Sequence, residues 1–241
     1  MTAPAAPAPE RAARWEDFLE IFIKPSAVFE RRRDSSFWVP FLVLVVLFVA
    51  IYVALKGAFQ PIMDAEMSRG MARAMAKNPQ FTEEMAANMR GAAQTWGSLM
   101  VVIGVPVAVF FIGIGIWISG KIIRAAVGFG AALMIASYSY FPRVIELLVS
   151  GAQALLLPEE QLTGRASTSL GAARALDPDS TSAALMATLL RVDVFTLWIT
   201  FLIAVGLRVV GRVPMSKALL GAGIVYVLGG LLATGLAGMG G

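Results

Sequence analysis

Five apolar runs leave this chain few ways to fold. A helix crossing the hydrocarbon core of a bilayer needs about 20 mostly apolar residues. Phe37–Lys56, Ser98–Ser119, Val192–Val210 and Ser216–Met239 meet that length, and a fifth run, Val127–Leu157, exceeds it while carrying Pro142, Arg143 and Glu146. The expected fold is all-α: a polytopic membrane bundle of five transmembrane helices with interfacial amphipathic helices attached. Composition agrees, since 58% of the 241 residues are hydrophobic, above the roughly 45–50% of soluble domains.

Charge then suggests an orientation. Lys24 and Arg31 to Arg33 precede the first run, Lys121 and Arg124 follow the second, and Arg208, Arg212 and Lys217 crowd the link between the fourth and fifth. An odd number of spans puts all three clusters on one side, and basic residues in short loops favour the cytoplasm. The other two connections, 57–97 and 158–191, mix Lys/Arg with Asp/Glu. The chain is expected to be integral to the cytoplasmic (inner) membrane, with its N-terminus inside and its C-terminus outside. Residues 1–10, "MTAPAAPAPE", lack the apolar core of a secretory signal and read as a disordered tail. Residues 11–36 read as a cytoplasmic interfacial segment, and 37–240 as the five-span domain.

Within the interfacial segment, "RWEDFLEIF" places Trp15, Phe18, Leu19 and Phe22 at i, i+3, i+4 and i+7. That is one face of an amphipathic helix, suited either to the lipid interface or to packing on the bundle. Pro25 ends this helix and opens a second short one, because proline fits a first helical turn. Asp34 or Ser35 is expected to cap the first span.

The chemistry open to the chain is narrow. It has no cysteine and no histidine, which removes thiol nucleophiles, disulfides, Cys/His zinc sites and imidazole acid–base catalysis. A net charge of +4, with basic residues scattered, argues against a nucleic-acid surface. Met63, Met67, Met71 and Met75 are spaced four apart, a spacing that suits a soft ion such as Cu(I). Without His or Cys to anchor a metal, packing of a methionine-rich helix face is the better reading. "VGFGAA", Val127 to Ala132, has neither the preceding strand nor the lysine of a phosphate-binding loop. No catalytic residue, cofactor or metal site is expected, and the protein reads as non-enzymatic.

The informative polar residues lie inside the apolar runs. Arg143 and Glu146, three apart, share a helical face, and Asp193 heads the fourth run. Charges in a membrane cost a few kcal/mol each, so they pair, face the bundle or line a path. At about 1.5 Å per residue, Asp193 lies about 22 Å from Arg208, a depth compatible with Arg143. The expectation is that Glu146, Asp193 or both hold Arg143, with Arg191 competing for Asp193. A pair fixing helix register, a proton or solute path, and an interfacial cap at Asp193 are the three roles open to this core. Small residues four apart, Gly104/Ala108, Ala218/Ala222 and Gly229/Ala233/Ala237, suit close helix approach and homo- or hetero-oligomers.

Three segments together resemble the Yip-domain family, membrane proteins named for interaction with Ypt/Rab GTPases. They are "FIKPSAVFE" with Pro25, "VGFGAALMIASYSYFPRVIELL" with Pro142, and "DVFTLWITFLIAVGLRVVGRVPMSKAL". The last carries Asp193, Phe195, Trp198, Gly206, Lys217 and Ala218. The resemblance implies a five-span helical domain with a cytoplasmic N-terminus, and an Ala/Gly/Arg-rich chain of this kind reads as a prokaryotic-type member. Eukaryotic relatives act in early secretory traffic through small GTPases and one another. The implied function is non-enzymatic organisation of protein partners or membrane lipids. The alternative is a transporter, channel or lipid-translocating protein using Arg143, Glu146 and Asp193. Reporter fusions at the two termini are expected on opposite sides of the membrane; both in one compartment would rule out five spans.

Overall fold

The computed structural model describes residues 15–78, 80 and 82–240. The expected tail at 1–10 lies outside the described residues. Two short helices open the fold, α1 (Asp17–Ile23) and α2 (Pro25–Arg32), followed by two long ones, α3 (Trp38–Lys77) and α4 (Glu83–Ile122). Then come α5 (Phe129–Ser139), α6 (Pro142–Leu156), α7 (Ala183–Leu189), α8 (Val194–Gly211) and α9 (Met215–Gly240). Among the described residues, five helical stretches are long and apolar enough to cross a membrane: Trp38–Ala76, Val102–Ile122, Phe129–Leu156, Val194–Gly211 and Met215–Ala237. Among the described residues there is no β-strand, only an isolated bridge between Gly171 and Asp193.

The first connection differs from expectation. It is not a loop carrying a separate methionine helix, because α3 and α4 run straight on through it, each 40 residues long. That is about 60 Å at 1.5 Å per residue, twice the roughly 30 Å hydrocarbon core. The Ala, Met, Arg and Lys of "MARAMAK" are strong helix formers and give α3 no reason to stop. The methionines do not form one buried stripe. Met71 is buried, whereas Met63 and Met75 stay exposed. Nor do Asp34 or Ser35 cap α3. Its N-cap is Phe37, without a side-chain cap; the Phe37 ring stacks on Trp38 at 4.6 Å and meets Phe110 edge-on at 6.1 Å. Ring packing fixes this start.

The third run breaks in two, and the break is well paired. Pro142 lacks an N–H and sits in the first turn of α6, where none is needed. Tyr140 N donates to Ala136 O at 3.1 Å, Arg143 N to Tyr140 O at 3.0 Å and Val144 N to Phe141 O at 2.9 Å.

The basic clusters do gather at one end of the bundle. Arg33 donates to Val209 O at 3.2 Å, and Ala126 N to Gly211 O at 3.1 Å. Arg124 and Arg212, just past the ends of α4 and α8, both take left-handed backbone with φ of 59° and 53°. At the other end, the 157–193 connection clamps onto the distal half of α3. Arg165 pairs with Glu66 at 2.8 Å, and Arg73 donates to Pro178 O at 3.0 Å.

α1 and α2 form a hairpin laid along α8. Phe22 meets Trp198 edge-on at 5.6 Å, and Phe18 stacks on Phe141 at 5.2 Å. From Trp198 to Val209 the hairpin follows α8 for about 16 Å. Of the two expectations for α1, packing on the bundle holds for Phe18 and Phe22, while Trp15, Leu19 and Ile23 are each more than 60% exposed.

Close approach at Gly206 seats this arrangement. A Cβ there would stand 2.6 Å from Ile135 Cγ2 and 3.3 Å from the Phe29 ring, so α8, α5 and α2 meet where only glycine fits. Ala218 and Ala222 are likewise buried. Gly104, in contrast, has nothing within 4 Å of its Cβ position, so the expected Gly104/Ala108 contact is absent at Gly104. Gly206→Val should destabilise the purified protein by about 1–3 kcal/mol, as overpacking does. A second change, Ile135→Ala, should restore part of the lost thermal midpoint.

Candidate functional site

Arg143, Glu146 and Asp193 belong to one network, assembled where α6 meets the start of α8. Arg143 forms an ion pair with Glu146 one turn along α6. Its other arm donates to Thr196 Oγ1 at 2.7 Å, and the Thr196 hydroxyl in turn donates to Asp193 Oδ2. The Arg143–Asp193 link therefore exists, but through a hydroxyl rather than as the direct pair left open by the sequence. Thr196 carried no sequence signal of its own; it is one turn beyond Asp193 and only the fold brings it under Arg143.

Asp193 is first of all a helix cap. Its Oδ1 accepts from Phe195 N at 2.8 Å and Thr196 N at 3.0 Å, satisfying two of the N–H groups that every helix start leaves open. The carboxylate is buried, at 4% exposure. A crossing strand of backbone holds it there: Ala172 N donates to Val192 O at 3.0 Å. A Cβ at Gly171 would stand 2.4 Å from that same carbonyl, so the approach requires a glycine.

Arg191 does not compete for Asp193. It donates to Tyr226 O at 2.9 Å with its guanidinium 5.1 Å from the Tyr226 ring. Gly229 leaves room for it, since a Cβ there would stand 3.0 Å from an Arg191 nitrogen. The glycine of the expected small-residue face thus seats an arginine. Burial lowers the pKa of Arg191 from the ordinary arginine value.

A second polar cluster escaped the sequence reading. Asp17 is fully buried and paired with Arg31 at 2.6 Å and with Arg32. Arg31 also reaches Glu20. The hydrogen bond to Asp17 is the main cause of a raised Arg31 pKa. The available signal was the chain reversal at Pro25, which brings residues 14 and 15 apart face to face.

Between α3 and α6 lies a cleft of about 490 Å³. Phe48, Tyr52, Phe59 and Ile62 of α3 line one side, and Arg143, Glu146 and Ser150 of α6 the other. Tyr52 donates to the Met63 sulfur at 3.7 Å at its edge.

The remaining motif positions frame α8 rather than forming a pocket. Pro25 opens α2, Pro142 opens α6, Phe195 is buried, Trp198 receives Phe22, and Lys217 is exposed at the basic end. Fold and site together define a helical integral membrane protein with five spans. The chain belongs to the Yip1 domain family, whose model matches residues 19–237. Comparison with curated proteins and with solved structures finds no match.

Because Asp193 acts as a cap, its amide analogue should serve nearly as well. Asp193→Ala is expected to cost about 1–2 kcal/mol, the usual range for a lost cap, and Asp193→Asn distinctly less. Thermal unfolding of both variants in detergent tests that order; equal losses would point to the charge instead.

Proposed function

We propose that this protein is a non-enzymatic organiser of lipids and partner proteins in the cytoplasmic membrane, with its N-terminus in the cytoplasm. The orientation rests on the meeting of the three basic clusters at one end of the bundle, where they favour the cytoplasmic side. The partners are membrane lipids and other membrane or cytoplasmic proteins, with further copies of the chain among the candidates.

One observation carries the choice of organiser over conduit. Between the Arg143 network and the basic end, α5 and α8 contribute Ile135, Ala136, Leu202, Ile203 and Val205 to one buried apolar core, with Ile135 set against Gly206. Three hydroxyls lie in the same stretch: those of Ser137 and Thr200 are turned back to Leu133 O and Thr196 O, each at 2.8 Å, and that of Ser139 is buried. A solute path needs polar groups on facing helices along its length, and the polar groups of this network stop at one level. Charges placed this way fix helix register, a role well attested for buried polar groups.

Purified protein in liposomes should show ion flux and lipid scrambling no faster than protein-free vesicles. Flux that disappears in folded Arg143→Gln and Asp193→Asn protein would overturn the organiser reading in favour of a transporter, channel or lipid translocator.

A further inference from the structure

The cleft beside Arg143 has two unlike walls. On one, Arg143, Glu146, Leu147 and Ser150 recur at i, i+3, i+4 and i+7 of α6, the spacing of a single helical face. Thr168 and Arg165 extend this polar line from the 157–193 connection. On the other wall stand Phe48, Tyr52, Phe59 and Ile62 of α3, with Val105 of α4. Although paired with each other, the Arg143 and Glu146 side chains keep 24% and 31% exposure. Gly104 faces the same space, with nothing within 4 Å of its Cβ position.

These features specify an occupant. A volume of about 490 Å³ falls within the roughly 300–1,000 Å³ of small-molecule sites. Accessible charges of both signs on one wall complement a ligand that carries both signs. An aromatic and aliphatic wall opposite complements hydrocarbon. The cleft lies among span helices, whose surroundings supply amphiphiles of this kind.

We propose that the cleft binds one phospholipid with a zwitterionic head group. The phosphate lies beside Arg143 and Arg165, the amine beside Glu146, and an acyl chain follows the α3 wall. This deepens the lipid-organising reading. Tyr140, just past the end of α5, also lines the cleft, and the buried apolar residues of α5 and α8 offer a head group no polar continuation, so the lipid is held rather than passed across.

The test uses the full-length protein in detergent, titrated with short-chain phosphatidylethanolamine, phosphatidylglycerol and diacylglycerol, with bound lipid counted by native mass spectrometry. Phosphatidylethanolamine should bind about tenfold more tightly than either other lipid. Gly104→Phe fills the open space and should weaken that binding about tenfold, while leaving the lipid-free thermal midpoint unchanged. Ser150→Trp fills the cleft from α6 and serves should Gly104→Phe fail to fold. Equal affinity for the three lipids, a preference for the anionic lipid, or wild-type binding by a folded cleft-filling variant would each overturn the proposal. Flux in liposomes would sink the non-conducting reading without altering these affinities, so the two failures are distinguishable.

Discussion

Hydrocarbon offers no water to an unpaired N–H or C=O, and each one left open there costs several kcal/mol. This constraint governs where the chain is allowed to break. The change of direction at Tyr140–Phe141 is permitted because the hydrogen bonds run on through it, and because Pro142 contributes no donor that needs a partner. The start of α8 is permitted because Asp193 brings its own acceptor to two open N–H groups. An apolar residue at either place would raise the mean hydropathy and give a worse helix end.

Charge is used sparingly and in connected sets. The Arg143 network ties α6 to α8, and the Asp17 cluster ties α1 to α2. Buried ion pairs add little net stability, since losing hydration offsets much of their attraction. Their value is positional. Arg143 can satisfy Glu146 and Thr196 together only at one register of α6 against α8, and Asp17 can meet Arg31 and Arg32 only if the hairpin closes at Pro25. Apolar faces in lipid have no comparable preference, because lipid tails are as apolar as the side chains they would replace. Small residues then set the distance: Gly206 lets Phe29 and Ile135 close on α8, after which the polar contacts select the depth.

Much of this was legible in advance, for reasons that differ residue by residue. The spans showed because length and hydropathy are local properties, and Pro25 and Pro142 marked helix starts because proline acts on its own backbone. The roles of Arg191 and Gly229 were not legible: nothing local links an arginine before α8 with a glycine on α9. Asp17 looked like an ordinary polar residue on an amphipathic helix, and its burial depends on which face the bundle covers. The continuity of α3 past Lys56 was not legible in the apolar run, because charge marks the end of an apolar surface and not the end of a helix.

The sequence by itself determined that this is a helical membrane protein with five spans, three basic clusters able to meet at one end and few groups able to do chemistry. Tertiary structure alone decided that Asp193 caps rather than pairs directly, that Thr196 joins it to Arg143, and that a cleft with one polar wall opens between α3 and α6. The division follows from range. Hydropathy, proline and charge act within a few residues, whereas a hydroxyl placed under a guanidinium 53 positions away exists only once both helices have packed.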